Sequence, residues 1–408
     1  RLPVEIGREY KNERIDACSV DKFRLPIAVV ILLLLPLFTH TVIADDSEYP
    51  YDEDGWLTRI AGPERFALGD EFGCQGMPGV NPFEDPDSIA SCRTYLTDRV
   101  QASRWGASPI TFGLQDESPD STLNQSLGDA LVTSGFHVSI GPSIGDGRIE
   151  AIDFDAGSLE KNVASIEAIE ASMGDGNPVV LRWIAELGDL NVRKDPDALA
   201  WIETQPFWFT TAGEYHTSQT SASITTTGRP SHSIILDQPS VNVDEWSTPG
   251  TSVISLVNST ESGIQVESVR WMNGTDLPQL DEMDRHLRVG WRIVSGAIYV
   301  SIAPGDKVEI QFEQSIGDVE IETGDFNGLT PMIVIGEHVT DLFEWSSGFQ
   351  DSSIRFTWLI EPRPVAQMDI ILPIIALVVG VITVFQMRRL INRDNPAEFT
   401  HSSLFEQE

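Results

Sequence analysis

Two apolar runs constrain this chain more than anything else in it. Residues 25–38 read LPIAVVILLLLPLF, with Lys22 and Arg24 just before them and Val42-Ile43-Ala44 followed by Asp45 and Asp46 just after. A basic start, about a dozen apolar residues and a small-residue site describe a secretory signal peptide, with cleavage expected after Ala44. The run is shorter than the roughly 20 residues of a membrane span; an uncleaved N-terminal anchor is the competing reading. Translation is expected to begin at Val20. Residues 1–19 are then a non-translated extension and residues 20–44 the signal peptide.

The second run, 370–387, reads IILPIIALVVGVITVFQM. As a helix it reaches about 27 Å, close to the ~30 Å hydrocarbon core of a bilayer. Arg388, Arg389 and Arg393 follow it, and such a flank stays in the cytoplasm. The competing reading is a buried core helix. Together the runs predict a single-pass type I membrane protein. Residues 45–364 are extracytoplasmic, 370–387 form the transmembrane helix and 388–408 the cytoplasmic tail.

Charge narrows the partners. Residues 45–364 hold 52 of the 62 acidic residues and 18 of the 27 Lys and Arg. Phosphates are repelled by such a surface, which excludes nucleic acid. The strong acidity reads as the solvated face of a salt-adapted protein, with capture of cations or basic partners as the alternative. At 41% hydrophobic residues the chain has ample material for a core, so it is no disordered tail.

Cys74 and Cys92 are the two cysteines after the signal. In an oxidising compartment they are expected to form a disulfide, contributing roughly 3 kcal/mol by loop closure. Three Asn-x-Ser/Thr sequons occur, at Asn124, Asn258 and Asn273; they are compatible with export.

Residues 45–55 form an acidic leader expected to be flexible. Helical and extended patterns then alternate across 56–216. Strands are expected at 110–114, 136–140, 149–154, 178–187 and 207–210. Helices are expected over 121–134, over 158–174 with Ser158 as N-cap, and from Asp195-Pro196 to about 206. This alternation predicts an α/β layered domain on a mainly parallel sheet. Residues 217–229, with eight Ser or Thr in TSQTSASITTTG, read as a linker open to O-glycosylation. From 230 to 364 the helical period vanishes and nine short strands follow, ending with 332–335 and 353–360. An all-β immunoglobulin-like sandwich is expected there, as a membrane-proximal stalk.

The chemistry is sparse. Gly141-Pro142-Ser143-Ile144-Gly145 matches a nucleophile elbow, but no helix pattern follows Ser143, as an elbow requires. Glu186 and Asp189 stand at the C-terminal edge of the 178–187 strand, where open α/β sheets place ligands. They are the candidate acid and base or nucleophile of a hydrolase, with Trp183, Trp201, Trp208 and Tyr215 as candidate stacking platforms for a ligand such as a sugar. The competing reading makes those aromatics core and those acids surface. Asp153 and Asp155 form a fragment of a calcium loop, as do residues 325–328; no other cofactor is expected. The reading is a membrane-anchored surface protein that binds an unknown extracellular ligand or protein, the alternative being a cell-surface hydrolase of glycans or peptides.

Overall fold

The computed structural model describes residues 63–114, 121–174, 176–184, 194–230, 232–242, 245–256, 265–313, 318–339, 349, 351–362 and 371–394. The expected signal peptide, the expected acidic leader, Glu186, Asp189, Asn258 and the tail beyond 394 lie outside them.

The α/β part runs α1 (Pro63–Leu68), β1 (Glu71–Cys74), α2 (Asp87–Thr97), β2 (Thr111–Gly113), α3 (Ser121–Thr133), β3 (Val138–Ile140), β4 (Glu150–Ile152), α4 (Ile166–Ser172), β5 (Val179–Ile184), α5 (Pro196–Ile202), β6 (Phe207–Thr210) and α6 (Ala212–Ser223). Eight short antiparallel strands follow: β7 (Thr226–Gly228), β8 (Ser233–Asp237), β9 (Gly250–Leu256), β10 (Val266–Trp271), β11 (Gly290–Val294), β12 (Ala297–Ile302), β13 (Lys307–Phe312) and β14 (Val319–Thr323). The chain then returns as β15 (Thr330–Val339) and β16 (Phe356–Ile360), and ends in α7 (Ile371–Asp394).

β15 and β16 complete the α/β sheet. Its order is β4-β3-β2-β1-β16-β15-β5, with β6 against the first half of β15, and every ladder is parallel. Beyond β4, Ala156 N donates to Val180 O (3.1 Å) and Arg182 N to Gly157 O (2.9 Å), which carries the ladder to β5. The segment after β4 thus reaches β5 at the other end of the strand order through the isolated bridge Ser158–Arg182. β15 and β16 are buried along almost their whole length, as strands covered on both faces must be. Two corrections to the sequence reading follow. The antiparallel region is an insertion between α6 and β15, not a terminal domain, and the strands at 332–335 and 353–360 belong to the parallel sheet.

The inserted strands form two four-stranded antiparallel sheets, β10-β13-β8-β7 and β11-β12-β9-β14. Ile234, Ile310 and Val269 of the first share one core cluster with Ile254, Val300 and Val319 of the second.

The expected linker is also corrected: residues 217–223 continue α6. Thr211 caps it, accepting from Glu214 N at 3.2 Å. Thr217 and Thr220 return their hydroxyls to carbonyls four residues back, which satisfies them inside a helix. Ser218 and Ser221 are buried, and that burial rules them out as exposed O-glycan acceptors. Their small size lets the helix lie on β9, where a Cβ at Gly250 would come within 2.4 Å of Ala222 N. The helix expected from Ser158 starts later. Ser165 caps α4 through Ala168 N, while Ser158 bridges to Arg182 on β5.

The insertion is fixed to the amino-terminal side of the parallel sheet. Arg104 donates to Leu287 O (2.9 Å), Phe209 N to Arg285 O (2.9 Å) and Gln219 to Asp325 (3.2 Å), and Trp208 packs against Leu280, Leu287, Phe326 and Leu329. Cys74 at the end of β1 is disulfide-bonded to Cys92 in α2, as expected.

α7 is one continuous helix of 24 residues. Ile375, Val379, Ile382 and Phe385 are each more than half exposed. Among the described residues no helix is long and apolar enough to cross a membrane; the side chains described in α7 are those of 374–390.

Candidate functional site

The inward side chains of the curled sheet lie in layers. At the amino ends, Glu71 of β1 meets the start of α6. Its carboxyl accepts from Gly213 N (2.8 Å), Thr357 Oγ1 (3.1 Å) and Thr111. Burial raises its pKa, partly opposed by these hydrogen bonds. Beside it Arg355 holds Glu214 through two bonds of 2.8 and 2.9 Å, and Trp105 Nε1 and Thr210 Oγ1 donate to the same carboxylate. Arg65 grips Asp70 at 2.7 and 2.8 Å, and Trp358 Nε1 adds a third bond to Asp70. Glu71, Asp70, Glu214 and Arg355 are all at most 1% exposed. Arg355 Nε and Arg104 Nε are left without a hydrogen-bond partner there, but the carboxylates are all held, and a buried, ion-paired network at the amino ends reads as framework.

The middle layer is apolar. Val138, Ile140, Val180, Ile333, Ile335 and Leu359 share a cluster with Ala212 of α6. Leu359 fits because β1 and β2 present glycines to it: a Cβ at Gly113 would lie 2.7 Å from Leu359 and 2.9 Å from the amide of Gln75.

The carboxyl ends are different. Gln75, the next inward position after Gly73, is 5% exposed. Its Oε1 accepts from His338 N at 3.3 Å, while Nε2 has no hydrogen-bond partner. A buried amide left so costs about 1–3 kcal/mol. At the same end Arg182 of β5 pairs with Glu337 of β15 and stacks over Phe154, 5.4 Å from the ring centre. Glu337 is buried, and burial raises its pKa against the opposing pull of Arg182 and His338. Arg182 keeps 42% of its side chain exposed. His338 has a left-handed backbone, φ 53°, and its Nδ1 lies 3.7 Å from Glu361. Non-glycine residues hold that conformation only where the surroundings impose it, often at functional sites.

This end therefore gathers an unpaired buried amide, a partly exposed guanidinium, a buried carboxyl of raised proton affinity and a second carboxylate. The geometry suits a ligand bearing hydroxyl or carbonyl groups. Glu186 and Asp189 follow β5 in sequence and lie outside the described residues.

The other expected residues fall elsewhere. Trp183 is buried against Phe349, Phe356 and Trp358, and Trp208 is fully buried against Phe326 and Tyr215. Trp201 sits edge-on to Phe207 at 6.4 Å, and Tyr215 packs under both the sheet cluster and the insertion. Trp183 and Trp208 are core residues, so neither offers a stacking face. Ser143 is exposed in the loop between β3 and β4, where its hydroxyl accepts from Gly145 N at 3.2 Å. No helix follows it. Asp153 and Asp155 accept from the backbone N–H groups of Phe154 and Val180, both at 2.8 Å. At 325–328, Asn327 donates to the carbonyls of Asp281 and Asp284 and ties two loops together. Among the described residues no group of three His, Cys, Asp or Glu is placed to hold a metal ion.

Gln75, Glu337 and His338 had no signal in the chain beyond the rule that parallel sheets bind at their carboxyl ends, and that rule needed the correct strands. The chain matches no protein-family model, no curated protein and no solved structure.

Proposed function

We propose that this chain is a surface-displayed, membrane-tethered protein whose α/β body binds a polar ligand at the carboxyl ends of its curled sheet. The signal peptide expected at 20–44 and the anchor expected at 370–387 are the sequence features that support a body outside the cell. The Cys74–Cys92 disulfide supports that compartment, and the unpacked apolar side chains of α7 support a lipid surrounding. The two antiparallel sheets act as an immunoglobulin-like sandwich that braces the amino-terminal side and leaves the carboxyl ends for the ligand. The observation that carries the binding reading is the orphaned Gln75 amide beside the Arg182–Glu337 pair.

The test uses the full chain in detergent against an array of neutral and acidic oligosaccharides and peptides. Captured ligands are expected to bind at least tenfold more weakly to Gln75→Leu and Arg182→Met, while Gln75→Leu keeps its melting temperature within a few degrees. Ligands held equally by all three proteins, or none held at all, would refute the reading.

A hydrolase is the second reading, favoured by Glu337. A buried carboxyl of raised proton affinity next to Arg182, with Glu361 nearby, suits a proton donor and a second carboxylate. Slow cleavage of a captured ligand, lost in Glu337→Gln with binding retained, would establish it.

A further inference from the structure

The sequons meet two different local structures. Asn124 stands in the second turn of α3, half-buried. In a helix the N–H of Ser126 bonds a carbonyl four residues back, so it is withheld from the Asn124 side chain. Asn273 stands at the tip of a tight turn after β10. Gly274 N closes the turn onto Trp271 O at 2.8 Å, with Gly274 at φ 86°, and Trp271 N then pairs with Thr275 O at 2.9 Å. Residues 272–276 are all exposed. The Asn273 Oδ1 accepts from Thr275 N at 2.9 Å. That bond folds the sequon into an Asx turn, polarises the carboxamide and leaves its nitrogen turned away from the backbone. The insertion holds this turn rigidly: Arg270 pairs with Asp276 across it at 2.6 Å, and Leu277 N returns to Val269 O at 2.8 Å.

We infer that Asn273 is an N-glycan acceptor in the folded protein and that Asn124 is not. The co-reactant is a glycan carried on a membrane lipid phosphate or diphosphate. Asn273 Nδ2 attacks the anomeric carbon of the first sugar, and a C–N bond forms there. The anomeric C–O bond to the phosphate breaks, and the lipid phosphate leaves with the electron pair. The amide proton passes to a carboxylate base of the transferase. A polar glycan there would cover exposed Met272 and stand on the insertion, away from the ligand-binding end. The inference rests on the proposed export of residues 45–364.

The test treats the folded full chain in detergent with a purified asparagine-linked oligosaccharyltransferase and a lipid-linked oligosaccharide, followed by mass mapping of tryptic peptides. The 273 peptide is expected to gain one glycan mass, to lose it in Asn273→Gln and Thr275→Ala, and to keep it in Thr275→Ser. Asn124→Gln is expected to change nothing. An unmodified 273 peptide, or a glycan on Asn124 in the folded chain, would overturn the inference. Labelling of intact cells with an impermeant amine reagent at Lys161 and Lys307 separates the two claims. Labelled lysines with a bare Asn273 in cell-derived protein sink the glycan alone; unlabelled lysines sink the export on which it rests.

Discussion

At the scale of single residues, the buried ion pairs at the amino ends carry the largest local energies. Glu214 faces Arg355, Arg104, Trp105 and Thr210 with no exposure of its own. Removing one partner strands the other charge, which costs about 3–5 kcal/mol, whereas removing both is much milder. Urea denaturation is expected to show Arg355→Met losing that amount, and Arg355→Met with Glu214→Gln recovering more than 1 kcal/mol of it. Additive losses would refute the coupling. None of these partnerships is visible in the chain, since Glu214 and Arg355 are 141 residues apart. Trp183 shows the same limit. Period-two alternation says which residues share a strand face but not which face turns inward, so a core tryptophan read as a ligand platform.

At the scale of elements, the strands carried a signal that composition masks. Residues 307–312 alternate strictly and are buried alternately, whereas 332–336 are apolar without interruption, 356–360 are apolar but for Thr357, and both runs are buried without interruption. Uninterrupted apolar strands belong to parallel sheets, so the return of the chain to the α/β body was legible in principle. α6 was not, because Ser and Thr favour linkers until neighbours satisfy their hydroxyls. The loop between the Leu280 turn and β11 links the insertion to the body through His286, whose Nε2 meets Ser353 O at 2.7 Å. Burial and then Arg355 push its pKa down to about 4 from 6.5. Below pH 6.5 the unfolded chain takes up a proton that the native histidine refuses. Its stabilising contribution is therefore present above pH 6.5 and lost as the pH falls towards 4, by about 3 kcal/mol at most. Asp325 acts oppositely: burial raises its pKa to about 6, so its protonation strengthens the fold as pH falls from 6 towards 3.8. His286→Asn is expected to flatten the loss of melting temperature between pH 7 and 4.5, and Asp325→Asn to steepen it. Identical pH profiles in both variants would contradict these assignments.

At the scale of the whole molecule, connectivity sets where the site can be. β16 ends at Ile360 and α7 begins at Ile371. The carboxyl ends of the sheet are thus tethered to the proposed anchor by ten residues, at most about 35 Å of chain. A stalk made of the β insertion is incompatible with this order, because the α/β body is the last folded part before α7. The proposed ligand-binding end is therefore expected to work close to the membrane. The acidic surface makes a separate prediction. Screening shortens from about 10 Å at 0.1 M salt to about 3 Å at 1 M, so the melting temperature is expected to rise across that range. A fall would show that the surface charges do not govern stability.

The amino-acid sequence by itself determined the local facts: the two apolar runs, the acidity, the Cys74–Cys92 pair, the alternation of helices and strands up to residue 210, and the later run of short strands. Each depends on neighbours within a few residues or on composition. Only the tertiary structure decided that the curled sheet borrows its last strands from beyond residue 330, that Trp183 and Trp208 face the core, and that Gln75, Arg182 and Glu337 lie at one end. Those outcomes depend on pairing between segments hundreds of residues apart, where burial of whole strand faces outweighs any local preference.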